Sequence, residues 1–536
     1  MAATSKQSAE KRRPLGVRMA HAVAAQSWRD LAPEVVTKAK LCLLDLLSSA
    51  LSSGDLPWSR QAIGVARRNS GAISSGGAGI IGTRDVVSVQ DAAFANGVIG
   101  HGLVRDDMHV GSVSHLGTVL IPALLALAET TKVGGKDLLA ALVAGYEVGG
   151  KIGRMILDVD VSKNFRPTGI TGPIGAAAAG AKLLGLDADK TATALALGAN
   201  MAAGYNEWAA TGGSEMFFHT GLAARGAVMA VQLAADGAYA SRTAVDGEAG
   251  LLAAFHKDLA PATPEVFGDR PEILAVFFKP VPACNFAQSA AQAAHTIAQR
   301  KKLRANDIER VTVRVTRAAA LYPGCDVSGP FEHVLQAKMS IHYNVAAALR
   351  YGDFAEQNYV PQQNPDVLSI ATRTRLEVDD ELTKAFPAKQ GAEVIVQTRA
   401  GDELRERVLD VAPTDAHGVR ARFAAAAAAA LGAAGAANLT RLVDELERVA
   451  DAAELSRATR LGLVVESGAS PPPVRRAPRA QRAAAPRAKI TAAAARARAA
   501  RETVRRSAAA GESVNGKRKR PARGAKRNKA SPRSSS

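Results

Sequence analysis

Leu139, Leu142, Val143 and Tyr146 recur at i, i+3, i+4 and i+7, which lays one apolar stripe along a helix. Runs of this kind, rich in Ala, Leu and Val with small residues where helices would cross, fill residues 16 to about 265 and predict helix after helix. The period changes past Pro271. Val311, Val313 and Val315 alternate with Thr312 and Arg314, and Val394, Val396 and Thr398 do the same ahead of a Gly401-Asp402 turn and a run from Leu404 to Val408. Helices are expected over 287–300 and 338–351, so residues 271–411 read as an α+β unit placed after the helical part. From Thr440 to Leu455 the helical period returns at Leu442, Leu446 and Val449, predicting a closing helix that packs back on the first domain. The expected fold class is mainly α with an α+β lid: a large all-helical domain over 16–270, completed by 412–456, and a smaller α+β domain over 271–411.

Composition adds two constraints. Aromatic residues are only 4% of the 536, so the core must pack closely with small side chains. The formal charge of +18 is not spread over the chain. Residues 471–536 carry 20 basic and two acidic side chains, which accounts for all of it and leaves the rest balanced. That segment, Ala, Arg, Lys, Pro and Ser with almost no large apolar residue, is expected to be a disordered basic tail, and its Lys517-Arg518-Lys519-Arg520 run suggests contact with nucleic acid. Three separated cysteines (Cys42, Cys284, Cys325) give neither a disulfide framework nor a CxxC metal pattern. Met1 to Pro14 lacks a following apolar stretch, and the Ala-rich run Phe423–Ala437 is too short and weakly hydrophobic to span a bilayer. A cytoplasmic protein without membrane contact is expected.

Two glycine-rich stretches resemble phosphate loops only on paper. Gly77-Ala78-Gly79-Ile80-Ile81-Gly82 has the GxGxxG spacing, but a Ser/Gly loop precedes it and a turn follows, where a dinucleotide site needs a strand and a helix. Thr168 to Gly175 lacks the GK[ST] ending. The densest polar cluster runs from His101 through Arg105, Asp106, Asp107 and His109 to His115, just ahead of an apolar helix. It fits a divalent-metal site, acid/base chemistry by a histidine, or a hydrogen-bonded helix start with solvated carboxylates.

Asn96-Gly97, His101, Asp106-Asp107, His115 with Gly117, and Pro122-Ala123 with Ala126-Leu127-Ala128-Glu129 resemble the MmgE/PrpD family. The likeness continues in order through Gly145-Tyr146-Glu147-Val148-Gly149, Thr168 to Ala176, His219-Thr220-Gly221, Lys279-Pro280-Val281-Pro282 and Ser340-Ile341-His342-Tyr343. It implies a cofactor-free, metal-free enzyme, usually dimeric, that handles di- or tricarboxylates in a cleft between a helical domain and a lid. His115 then matches the proton-transferring histidine, Lys279 a lid lysine for a substrate carboxylate, and Tyr343 a lid tyrosine that hydrogen-bonds or protonates. Arg166, His101, Asp107 and Cys284 are the expected substrate-binding residues. The expected reaction is dehydration of a 2-methylcitrate-like acid, with decarboxylation, epimerisation or a reduced binding role as alternatives. Five positions depart from the family pattern: Val104 for Asp, Met108 for Thr, Arg166 for His, Met216 for Lys and Cys284 for His.

Overall fold

Helices Gly135–Ile156 and Pro167–Leu183 pack side by side in the helical part, and small residues set how near they come. A Cβ built on Gly175 would meet the Gly145 carbonyl oxygen at 2.8 Å, and one on Gly145 would meet the Leu120 side chain at 2.6 Å. The backbones touch where any larger residue would hold them apart, which is how a core poor in rings reaches protein density. Leu139, Leu142, Val143 and Tyr146 are all buried, as their spacing predicts. Helices Gly117–Ala128 and Glu215–Ala235 pack against this pair, and Val89–His101 packs on those two.

The computed structural model describes residues 13–71, 73, 75–258, 266–268 and 270–461. The basic segment from Pro471 onward lies outside the described residues. Two short antiparallel pairs, β1 (Ala78–Gly79) with β2 (Val86–Val87) and β3 (Met108–His109) with β4 (Val276–Phe277), sit among the helices. The α+β part carries a four-stranded sheet of β5 (Ile308–Val315), β6 (Thr374–Val378), β7 (Ala392–Thr398) and β8 (Glu403–Val408) in the order β6-β5-β7-β8. β5 and β6 run parallel and the other pairs antiparallel, with Val313 opposite both Leu376 and Val394. Gly401, at φ 91°, makes the β7–β8 turn.

Some elements differ from expectation. The helix expected over 338–351 is two, Val334–Met339 and Ile341–Tyr351, because the Ser340 side chain accepts from the Tyr343 N–H and caps the second. β6, a five-residue strand with Thr374 buried but Arg375 and Val378 exposed, was not anticipated. The closing helix stops at Asp444 and resumes as two short turns, Leu446–Arg448 and Ala453–Arg457. The Ala-rich run belongs to a 29-residue helix, Ala416–Asp444, which is long and apolar enough by length and composition to cross a membrane. Here Gly432 breaks it with non-helical angles, its Val419, Phe423 and Leu439 face the core, and it packs along Pro33–Ser53. No helix opens on Gly77–Gly82; it forms β1 and a turn.

One buried lysine ties the α+β part to the helical part. Lys338 donates to the carbonyls of Leu103 (2.8 Å) and Pro282 (3.0 Å) and pairs with Glu356 at 2.6 Å. Leu103 belongs to the loop that leaves helix Val89–His101, so this strap seats the α+β residues against the polar cluster.

Candidate active site

The polar cluster of the sequence separates into three networks. His109 turns away: its ring bonds the Ser112 hydroxyl (2.8 Å) and Glu272 (2.9 Å), which also pairs with Arg154. Asp107 accepts the Tyr146 hydroxyl in a short hydrogen bond and lies over Gly117, where a Cβ would come within 2.6 Å of its carboxylate. Burial and the neighbouring Asp45 and Asp106 charges push the Asp107 carboxyl up to about 8. The third network is the candidate site. It joins His101, the last residue of helix Val89–His101, to Asp106, His115 and Arg166.

Asp106 bridges two imidazoles. Its Oδ1 is 2.8 Å from His101 Nδ1 and its Oδ2 is 2.6 Å from His115 Nδ1. Arg166 Nη2 donates to His101 Nε2 at 2.7 Å, so the His101 proton sits on Nδ1 and faces Asp106. His115 Nδ1 has a second acceptor, the Asp107 carbonyl at 3.0 Å, which places its proton there too and leaves Nε2 with a free lone pair. Burial lowers the proton affinity of both rings, His115 to about 3, against the pull of Asp106. Burial alone would raise Asp106, but the two imidazole donors hold it well below the usual carboxylate range. The resting cluster is one carboxylate and two neutral imidazoles. The His115 backbone is fixed as well: its N–H donates to Thr168 Oγ1 at 3.0 Å, and its carbonyl accepts from Thr118 Oγ1 at 2.7 Å.

His115 lines a cleft closed by both parts of the molecule. Val104, Met108, Val113, Arg166, Pro167, Trp208 and Met216 come from the helical side, and Cys284, Asn285, Phe286, Tyr322 and Met339 from the α+β side. The free space is about 30 Å³, room for about two waters, so the walls must part to admit an organic acid. Three lining residues carry buried polar atoms without a partner: Arg166 Nε, Trp208 Nε1 and Asn285 Oδ1. Unpaired buried donors and acceptors are uncommon and costly, and their grouping marks a place built for a ligand. Two lining valines, Val104 (φ 59°) and Val113 (φ 47°), hold left-handed backbone that β-branched residues rarely adopt.

His115, Arg166 and Cys284 lie where the sequence reading puts them, on the cleft wall. Lys279 is buried just behind it, donating to the Ala283 carbonyl at 2.9 Å; burial lowers its pKa to about 8, partly offset by the Asp106 charge. His101 does not touch the cleft and is a positioning residue for Asp106 and Arg166. Asp107, expected to bind substrate, is turned into the helix interface by Tyr146 and offers the site only its carbonyl. Tyr343 is corrected outright. It is fully buried between Phe331 and Tyr359, and its hydroxyl donates to the Asn358 carbonyl at 2.8 Å, away from the cleft. The phenol on the cleft wall is Tyr322, whose oxygen accepts from Asn206 at 3.2 Å and whose pKa burial pushes up. Tyr322, Trp208 and Asp106 as the bridging carboxylate were missed. Nothing in the spacing separates Asp106 from Asp107, and Tyr322 follows the short helix Arg317–Leu321 with no local signature. All five departures from the family pattern (Val104, Met108, Arg166, Met216, Cys284) line this one cleft.

His101, Asp106 and His115 present ligand atoms within 4.8 Å of one another, a spacing a metal ion could bridge. The His101 Nδ1 hydrogen is bonded to Asp106 and the His115 one to the Asp107 carbonyl, and Arg166 and Lys279 add two cations nearby. The donor set suits proton transfer better than a divalent cation.

Comparison with known proteins agrees with the architecture. A cis-aconitate decarboxylase of Homo sapiens is 28% identical over 466 residues, covering 83% of this chain and 92% of its own length. A cis-aconitate decarboxylase-like protein of Aspergillus oryzae is 27% identical over 459 residues, 80% of this chain and 93% of its own. Residues 17–263 match the MmgE/PrpD N-terminal domain and residues 281–446 the MmgE/PrpD C-terminal domain. The chain therefore belongs to the MmgE/PrpD family.

Proposed function

We propose that this protein is a lyase of decarboxylase type, with His115 as its proton carrier. The observation that carries this reading is the Asp106–His115 pair, whose one free nitrogen belongs to a ring on the wall of a largely apolar cleft beside Arg166. A carboxylate stripped of water among Met, Val and Phe side chains loses little by becoming neutral CO₂, whereas an arginine holds a second carboxylate in place. Loss of CO₂ leaves an electron pair on carbon, and His115 Nε2 delivers the proton that quenches it. The imidazole is neutral in the empty cleft, but a bound anion beside it raises its proton affinity, so the substrate itself arms the acid. Asp106 stabilises the imidazolium that forms, in the manner of a carboxylate behind a catalytic histidine. The relatives named cis-aconitate decarboxylase support this choice over dehydration of a 2-methylcitrate-like acid.

The test is incubation of the purified full chain in D₂O with cis-aconitate and, separately, 2-methylcitrate, following CO₂ release and deuterium incorporation by NMR. CO₂ evolved with one deuterium gained at carbon supports the reading. Loss of water without CO₂ would transfer it to the hydro-lyase alternative, and neither CO₂ nor deuterium exchange with the acids at saturating concentration would remove it.

A further inference from the structure

The walls of the cleft also say what kind of acid it is shaped for. We infer that the substrate is a dicarboxylic acid with an alkyl arm, one carboxylate seated at Arg166 and Trp208, and that a tri-acid is disfavoured. This rests on the lyase reading and adds the substrate class to it.

The seat is specific. Arg166 Nε and Trp208 Nε1 are buried N–H donors without partners, and the guanidinium carbon lies 4.9 Å from the centre of the Trp208 ring. Arg166 already gives Nη2 to His101, so its Nε and the indole N–H are two unpaired donors on neighbouring side chains, the number one carboxylate takes. No comparable second seat exists among the described lining residues. Asn285 contributes an unpaired acceptor, its Oδ1, while its Nδ2 is committed to Gln390. Cys284 faces Cys325 at 3.7 Å, and the Lys279 ammonium is turned to the Ala283 carbonyl. Tyr322 adds a single hydroxyl donor, its oxygen accepting from Asn206, and the rest of the wall beside His115 is Val104, Met108, Val113, Pro167, Met216, Phe286 and Met339.

One carboxylate takes the seat at Arg166. A second is the group that leaves as CO₂, and its unfavourable placement among apolar side chains helps expel it. A third would stay charged and unpaired against methionine, at a cost of about a hundredfold or more in binding. Hydrocarbon in the same place gains from contact with Met108, Met216 and Met339.

A pair matched at the maleate core isolates this point. cis-Aconitate is maleate bearing a carboxymethyl group; n-propylmaleate keeps the maleate and the methylene and carries ethyl, one heavy atom fewer, in place of the terminal carboxylate. Titration calorimetry of the full chain at pH 7 is expected to give n-propylmaleate an affinity at least about tenfold above that of cis-aconitate. W208F, which keeps the ring and removes one donor, is expected to weaken both ligands by about tenfold or more and equally. M216K places a cation opposite the arm and is expected to reverse the preference. Equal or tighter binding of cis-aconitate by the unmodified chain overturns the substrate class, while CO₂ release from cis-aconitate in that case leaves the lyase reading standing. Failure of both acids to bind at millimolar concentration overturns the seat itself. The comparison within the unmodified chain decides the matter even if M216K does not fold.

Discussion

Lys279 gives the account a quantitative foothold, because its burial has a price that a single substitution removes. The ammonium is enclosed, with the Ala283 carbonyl as its hydrogen-bond acceptor, and burial brings its pKa from 10.5 down to about 8. A fall of about 2.5 in pKa, at about 1.4 kcal/mol each, means the folded state holds this proton ~3 kcal/mol less tightly than the unfolded chain does. Below pH 8 both states are charged and the full penalty is present. Between pH 8 and 10.5 the unfolded chain binds more protons than the folded one, so stability rises with pH; above 10.5 the penalty is gone. Lys279→Met keeps the stem and deletes the charge. It loses one hydrogen bond, worth about 1 kcal/mol, but Gln288 Nε2 still donates to the same carbonyl at 3.3 Å. The expected outcome is a variant about 2 kcal/mol more stable than the parent at pH 7, with the advantage vanishing near pH 10.5. Urea unfolding of both proteins by tryptophan fluorescence at the two pH values measures it, other titrating groups cancelling in the difference. A variant less stable at pH 7, or a difference that does not change with pH, refutes the reasoning. Activity moves the other way, because Lys279 adds positive charge beside the carboxylate seat: the variant binds acids more weakly at pH 7, and the parent's affinity falls as pH rises through 8.

Further outcomes follow from the same geometry. Tyr343→Phe is expected to leave turnover unchanged and cost about 1 kcal/mol of stability for the lost bond to Asn358, whereas Tyr322→Phe, on the cleft wall, lowers turnover; steady-state kinetics with urea melts separates them. Asp106→Asn removes the anion behind both imidazoles and is expected to reduce kcat by about 100-fold or more with a smaller change in KM, measured by CO₂ release. Gly117→Ala forces a Cβ to within 2.6 Å of Asp107 and Tyr146 and is expected to cost about 1–3 kcal/mol, read as a lower urea midpoint.

The helical period at Leu139 to Tyr146 and the alternation at Val311 to Val315 were plain in the sequence, because burial on one face imposes a regular spacing. β6 was not, because it is only five residues long and buries little, with Thr374 inside but Arg375 and Val378 exposed. At the site, His115 and Arg166 were found because each adjoins the start of an apolar helix in a recognisable order of motifs. Adjacent residues defeated the same reasoning: Asp106 and Asp107 sit side by side in the chain but face different networks, and only the placement of Tyr146 and the two imidazoles tells them apart. Tyr343 drew attention through its match to a lid tyrosine of the family, yet its helix buries it, and the tyrosine on the wall, Tyr322, closes the short helix Arg317–Leu321. The five departures from the family pattern lie far apart in sequence; their meeting in one cleft is visible only in the fold.

The central claim is that His115 Nε2 moves the proton at substrate carbon. His115→Asn tests it most directly, since the shorter amide can keep the hydrogen bond to the Asp107 carbonyl that Nδ1 makes while deleting Nε2 altogether. With parent and variant incubated in D₂O with the acid the parent turns over, deuterium incorporation at carbon is expected to fall by about 10²–10⁴ in the variant while acid binding by calorimetry stays within about tenfold. Undiminished deuterium incorporation in a folded His115→Asn protein would contradict the account.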